Sequence, residues 1–507
     1  MSRRRSSPTP KETIPLNTGL ILLVGGGLLL LSLLASKVGG RLGLPGLLLF
    51  VIIGMLAGTD GLGGIAFENY EITQFVGIVA LAFILFTGGL ETSWRTTRPV
   101  LWTGISLATL GVVLTTGLVG VAAHYLFGLP WVVAFLLGAI VAPTDASAVF
   151  SVLKERALGL KGHIRPVLEF ESGINDPTAV VLVIGLTEIA THPDTPLLSV
   201  LGEFATEMVL GGVFGIVLGR LAVRLINRIN LPLDGLYSVL TVAIVAAIYG
   251  VTSAVHGSGL LAIYIAGVVL GNSEFVHKRS LRHFHEGLTY LLEVGMFLLL
   301  GLLVFPRQLP EVAVPALLLA AVLVLIARPA AVFVSLLATR MPAAHKAMIA
   351  WVGLRGAVPV VLATFPLLAG VPGASLLFNV AFFLVLVSIL VQGTSLPFVA
   401  RWLKVNAPLS AHTVMPLEYT PTGAGKNDLI EVTVPTASGV VGTRIMDLGL
   451  PPDALIVLIY REQQYVIPRG TTPLHAGDVL QILAARPAAE MVQARVNASG
   501  PLPSGSS

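Results

Sequence analysis

From residue 16 to residue 401 the sequence runs through a succession of apolar windows of about 20 residues, the length a helix needs to cross a bilayer. The windows, bounded by charges or by Gly and Pro, fall near 16–35, 44–60, 72–90, 100–127, 132–154, 164–190 and 197–229. Six more fall near 235–256, 260–271, 283–305, 311–340, 346–369 and 373–401, the ninth of the series being short. That makes about thirteen spans. Composition closes the soluble alternative, because only 11% of the 507 residues are charged, against roughly 25% in a soluble domain. The 55% hydrophobic share excludes the 54 glycines, so too little polar surface remains to solubilise the chain. The expected class is an all-α polytopic membrane protein.

The few charges are sorted by loop. Lys37, Arg41, Arg95, Arg98, Lys154, Arg156, Lys161, Arg165, Arg224, Arg228, Lys278, Arg279, Arg282, Arg340 and Lys346 fall in one alternate set, whereas the other holds little but Arg307. The positive-inside rule makes the first set cytoplasmic, and with it Arg401, Lys404 and the C-terminal tail of a multi-pass cell-membrane protein. About thirteen spans then leave the N-terminus outside, against the sense of Arg3, Arg4 and Arg5; an inside N-terminus requires a span count different by one. The first apolar run has no clear small-residue cleavage site and reads as an uncleaved helix. The net charge of +4 is spread singly between apolar runs, which argues against a nucleic-acid partner and for membrane lipid. With no cysteine, disulfides, thiolate metal sites and thiol catalysis are excluded.

Five segments follow: a polar tail (1–14), the transmembrane domain (15–405), a Pro/Gly/Thr linker (406–426), a small cytoplasmic α+β domain (427–487) and a terminal tail (488–507). In the small domain Leu429–Val434, Leu455–Tyr460, Gln464–Ile467 and Val479–Leu483 read as strands, with short helices near 443–449 and 487–496. The stretch 422–427 brushes against a phosphate loop, but its first glycine is missing, Asn427 stands where Ser or Thr is needed, and no strand precedes it.

Carboxylates inside spans carry the chemistry, since one at the bilayer centre costs at least about 2.5 kcal/mol. Asp145 lies midway along the fifth span in Ala142-Pro-Thr-Asp-Ala-Ser147, and the sixth holds Glu169-Phe-Glu-Ser-Gly-Ile-Asn-Asp-Pro177. On a helix Ser172, Asn175 and Asp176 share a face. Pro143 and Pro177 free the carbonyls of Ala139 and Gly173, completing a set of hard oxygen donors suited to an alkali cation or a proton. The twelfth span supplies a counterpart, Gly353-Leu-Arg-Gly-Ala-Val-Pro359, a second interrupted helix seven spans after the first. Two broken helices in corresponding positions point to an inverted-repeat transporter with its site at the midplane. Arg355 needs a carboxylate partner, Glu171 or Glu169, which leaves Asp176 free to titrate. Arg328, before Pro329, is also intramembrane, with no partner assignable from sequence. Bland readings suit the rest: His277, His283, His285 and Glu286 as interfacial residues rather than a metal site, Glu293 as a helix-pairing acid, and Gly211, Gly215 and Gly219 as a packing ladder.

At Pro143-Thr-Asp145, Glu171-Ser-Gly-Ile-Asn-Asp-Pro177 and Leu354-Arg-Gly-Ala-Val-Pro359 the chain resembles the NhaP-type monovalent cation:proton antiporters over roughly residues 15–405. The resemblance implies a homodimer whose protomers combine a scaffold domain with a moving six-helix core. It implies that Asp176 carries the ion and proton, that Thr144, Asp145 and Ser172 line the cation site, that Asn175 orients it, and that Glu171 and Arg355 form the core ion pair. Glu169 and Thr87 are accessory candidates. Many sodium-selective relatives carry an acid at Thr87, so its hydroxyl tilts the expectation toward potassium, or potassium with sodium. Residues 427–487 look like the C-terminal lobe of potassium-regulatory RCK/TrkA proteins, which implies a small-molecule regulator such as the nucleotide cyclic di-AMP.

The expected function is secondary antiport of H+ against K+ or Na+ by alternating access, serving pH and cation homeostasis without enzyme activity, cofactor or resident metal. A desolvated Asp176 holds a proton or a dehydrated cation but not both, because either one supplies the compensation its surroundings lack. A ligand-gated cation channel regulated by the tail is the alternative, disfavoured because no Thr-Val-Gly-Tyr-Gly filter occurs. An intramembrane aspartyl protease built on Asp145 and Asp176 fits the neighbouring Thr, Ser, Asn and Arg less well.

Overall fold

A computed structural model describes residues 18–42, 46–65, 67, 69–156, 158–408, 427–435, 438–461 and 464–498. The tail 1–14, residues 409–426 of the expected linker and residues 499–507 lie outside that set. The chain divides into two compact units, residues 1–409 and 410–507.

Apolar windows become helices because a bilayer offers backbone N–H and C=O groups no partners but each other. In chain order the first unit holds α1 (Thr18–Leu42), α2 (Gly46–Ala57), α3 (Tyr70–Glu91), α4 (Trp94–Phe127), α5 (Trp131–Ile140) and α6 (Ala146–Glu155). It continues with α7 (Ile164–Thr191), α8 (Leu197–Arg228), α9 (Asp234–Ala254), α10 (Gly259–Gly271) and α11 (Lys278–Leu303). Last come α12 (Pro306–Ser335), α13 (Ala343–Trp351), α14 (Val358–Leu368) and α15 (Ala374–Trp402). Among the described residues eight of these, α3, α4, α7, α8, α9, α11, α12 and α15, are long and apolar enough to cross a membrane unaided. Single π turns interrupt α4 at Leu107–Gly111, α12 at Leu323–Ala327 and α15 at Ile389–Gly393, the kind of bulge that tends to mark functional regions.

Both expected helix breaks are present. The fifth span unwinds between Ile140 and Ala146, where Asp145 caps α6 by accepting from the Ala148 N–H at 3.1 Å. The twelfth unwinds between Trp351 and Val358, and Pro359 stands in the first turn of α14, where its missing N–H is not needed. The sixth span differs: α7 runs continuously through Pro177. The glycine ladder of α8 packs on α10, where a Cβ at Gly211, Gly215 or Gly219 would meet Ser258, Ala262 or Ala266.

A two-stranded ladder joins distant parts of this unit. Strand β1 (Leu158–Leu160), in the loop between α6 and α7, pairs antiparallel with β2 (Asn406–Pro408), and the Lys161 N–H donates to the Val405 carbonyl at 2.8 Å. Strands of three residues fall below what alternation reveals, which is why 406–408 reads as linker from sequence alone.

The second unit is an antiparallel sheet of β3 (Asn427–Thr433), β4 (Ala454–Arg461), β5 (Gln464–Val466) and β6 (Val479–Ala485), in the order β3-β6-β4-β5. Helix α16 (Arg486–Asn497) crosses the domain boundary expected at 487, and its buried Val492 and Val496 share one core with Ile456, Ile459, Leu480 and Ile482. Inside it Arg461 pairs with the fully buried Asp478 at 2.8 Å.

Candidate functional site

The two breaks lie against each other. The Asp145 N–H donates to the Leu354 carbonyl at 2.8 Å, tying one unwound segment to the other. Arg355 Nη1 donates to the carbonyls of Ala142 and Pro143, both at 2.7 Å, and the Arg355 N–H donates to Ser388 Oγ at 2.9 Å. Ser388 in turn donates to Gln392 Oε1 at 2.6 Å, and Gln392 Nε2 donates to the Trp351 carbonyl at 2.8 Å. Through Ser388, which flanks its π turn, and Gln392 within it, α15 closes the polar ends that the second break opens. At Gly356 a Cβ would overlap the Asp145 carboxylate, so the two segments approach this closely only with glycine there.

The expected Glu171–Arg355 ion pair is not what forms. Arg328, behind the π turn of α12, places Nη1 2.6 Å from Glu171 Oε1, with both side chains almost fully buried. Arg355 instead serves the C-terminal end of α5, where unwinding strips two carbonyls of partners and the helix dipole presents negative charge. It still lies near enough to Glu171 and Asp176 to feel their charges. Glu169, the other candidate partner, pairs with Arg165 at 2.7 Å one turn away on α7.

The oxygen-bearing side chains gather on one side of this crossing. Asn175 Nδ2 donates to Thr144 Oγ1 at 2.7 Å, and Ser172 Oγ accepts the Ala146 N–H at 3.2 Å, so α7 holds the first break in place. Asp145 Oδ1 also accepts from Ser147 Oγ at 2.7 Å. Asp176 is buried, and among the described residues its Oδ1, like Asn175 Oδ1, has no hydrogen-bond donor. Two orphaned oxygens beside a second carboxylate suit a dehydrated monovalent cation or a proton.

A cavity of about 370 Å3 reaches Asp176 and Asp145. Its lining includes Lys154, Arg165, Glu169 and Glu286, Thr87, Thr289 and Glu293, and also Asp145, Ser172 and Asp176. Thr87 Oγ1 donates to the Phe83 carbonyl and accepts from Thr289 Oγ1, each at 2.9 Å. The interfacial histidines diverge: His285 bonds Thr241 at 2.9 Å, His283 sits 3.2 Å from Glu286, and His277 lies 3.8 Å from Asp234. Sequence alone shows Arg328 as an intramembrane cation without saying what it meets, and gives Ser388, Gln392 and Thr289 no distinguishing mark.

Residues 27–402 match the family described as sodium/hydrogen exchanger, transmembrane. The chain belongs to that family. As a sodium/hydrogen exchanger family member it is a multi-pass membrane antiporter of monovalent cations and protons, not a channel. Residues 429–497 match the TrkA-C domain. The chain is 41% identical over 469 residues to the K(+)/H(+) antiporter NhaP of Alkalimonas amylolytica, covering 92% of this chain and 81% of that one. It is 42% identical over 467 residues to the K(+)/H(+) antiporter NhaP2 of Shewanella sp. (strain MR-4), covering 91% and 80%. Against the Na(+)/H(+) antiporter NhaP of Pseudomonas aeruginosa identity is 32% over 357 residues, 65% of this chain and 81% of that one. The fold is similar to that of the sodium proton antiporter MjNhaP1 from Methanocaldococcus jannaschii, with TM-score 0.67 and 23% identity over 76% of this chain and 99% of that one.

Proposed function

We propose that this exchanger trades protons for potassium, with sodium as a second substrate, and that Asp176 is the carrier. One observation carries the reading: Asp176 lines a cavity, beside the crossing of two broken helices, with an oxygen that nothing among the described residues satisfies. Asp145, Thr144, Ser172 and Asn175 belong to the same oxygen cluster. Asp145 faces the cavity as a second acceptor, while Thr144, Ser172 and Asn175 fix the geometry. Proton and cation compete because a charge this deep is tolerated only when compensated. Arg355 supplies part of that compensation to the empty carboxylate, and the Glu171–Arg328 pair holds α7 to α12. The potassium preference is supported by the names of the relatives of highest identity above and by a hydroxyl, not an acid, at Thr87.

The protein acts as a homodimer in the cell membrane with its C-terminus cytoplasmic, as the loop charges and the resemblance indicate. The TrkA-C domain binds a small regulator, a nucleotide in the reading favoured here, and acts on transport through β2, which is paired with the loop between the helices that carry Asp145 and Asp176.

The test is dissipation of a pH gradient in inverted vesicles with Na+, K+, Li+ or Rb+ added in turn. K+ is expected to give the largest signal, and Asp176→Asn to abolish it for every cation while the protein remains folded. Retained exchange in that variant would remove Asp176 from the carrier role.

A further inference from the structure

Glu293 is an acid without a visible reason. It lies in the apolar part of α11, followed by the buried Val294, Met296, Phe297 and Leu298, and among the described residues it has no ion pair and no hydrogen bond. A helix-pairing acid should show its donor, and among the described residues none is bonded to it, although the hydroxyl-bearing Tyr264 and Tyr290 line the same cavity. On α11 the cations Lys278 and Arg282 lie about three to four turns away and donate to the Ser273 and Leu90 carbonyls, while Thr289, one turn away, donates to Thr87. Among the described residues none of the cations around the cavity is ion-paired with it. Asp145 opposes it closely enough for the two to repel, Glu91, Glu169 and Glu286 add negative charge, and Lys154 and Arg165 line the cavity beside α6 and α7.

The side chain lines the cavity that also exposes Asp145 and Asp176, one helical turn from Thr289. Thr289, Thr87 and Glu293 thus form an oxygen-bearing wall contributed by α3 and α11, while Asp145, Ser172 and Asp176 come from α6, α7 and the break before α6. A carboxylate among apolar residues within a span calls for a cation, a proton or water beside it, and the transported ion passing through the cavity is a source of that compensation.

We infer that Glu293 is a further cation-binding carboxylate, which with the hydroxyls of Thr87 and Thr289 takes the dehydrating monovalent cation on the α3–α11 wall of the cavity and sets the affinity of the cavity for it. The donors are hard oxygens, the class that suits alkali cations. The inference rests on antiport through Asp176, which the parent protein's cation-dependent proton movement and its loss in Asp176→Asn test separately.

The experiment is a titration with K+, repeated with Na+, of the full-length protein in proteoliposomes containing a pH-sensitive dye. Glu293→Gln is expected to raise the half-saturating K+ concentration about tenfold, a larger change than in the maximal rate, as loss of a ground-state binding group requires. Glu293→Asp keeps the charge and should stay within about threefold of the parent, a loss of under 1 kcal/mol at about 1.4 kcal/mol per tenfold. Thr87→Glu placed in the Glu293→Gln background returns a carboxylate to the same cavity from α3 and should recover the lost affinity. An unchanged half-saturation in Glu293→Gln overturns the inference, as does an equal fall in maximal rate for Gln and Asp with half-saturation unmoved, the mark of a packing role. Should Glu293→Gln fail to fold, Thr289→Val decides: it removes the adjacent hydroxyl and must raise half-saturation by about two- to threefold, and no change overturns the inference.

Discussion

At the scale of single residues the protein is governed by the cost of charge in an apolar medium, and each buried ion has a different answer to it. Glu171 takes Arg328; Arg355 takes two carbonyls at the end of α5 and a serine contact through its backbone. Asp176 keeps an oxygen with no hydrogen-bond donor among the described residues. Removing one member of a buried pair strands the other, so Arg328→Gln is expected to cost about 3–5 kcal/mol of stability. A lower melting temperature in detergent will show it, and the double variant Arg328→Gln with Glu171→Gln should be less destabilised than Arg328→Gln alone. Had Arg355 been the partner of Glu171, that double-variant recovery would be absent. The intramembrane charges were legible in the sequence because an ionised group in an apolar window violates its surroundings. Their pairing was not, since nothing local in the sequence says which cation Glu171 meets, and only the tertiary contact of Arg328 with Glu171 decides it.

At the scale of elements two devices organise the site. The first is the pair of broken helices, foreseen from Pro143, Gly353, Gly356 and Pro359 because these residues cannot continue a helix without loss. What the sequence left out is how they meet: the Asp145 N–H on the Leu354 carbonyl, and Gly356 under the Asp145 carboxylate. The second is the β1–β2 ladder, hidden in sequence because its strands are short and its partners lie on opposite sides of most of the membrane domain. A proline in such a strand removes a ladder hydrogen bond or the room for one. Ala407→Pro is therefore expected to leave exchange active but to shift its half-saturating K+ concentration to the value of a chain ended after Leu409. Measuring both side by side in proteoliposomes checks the link. If Ala407→Pro behaves as the full-length parent while the truncated chain differs, the tail acts by another route.

At the scale of the whole molecule the two units have separate cores, one of helices and one of four strands with α16. The first unit should accordingly transport without the second: the chain ended after Leu409 is expected to retain K+-dependent proton movement. Loss of that movement in a folded, membrane-inserted truncation would make the TrkA-C domain part of the transport machinery rather than its regulator. The sequence by itself determined that the chain lives in a membrane, where its helices lie, which two of them break, and which acids stand where acid is expensive. Those are local properties, fixed by the run length of apolar residues and by the backbone limits of Gly and Pro. Only the tertiary structure decided that Arg328 rather than Arg355 holds Glu171, that α15 seals the second break through Ser388 and Gln392, and that Glu293 shares a cavity with Asp176. Each of those depends on segments far apart in sequence meeting at one point, and a pairwise contact at that range leaves no period or composition for a single chain to display.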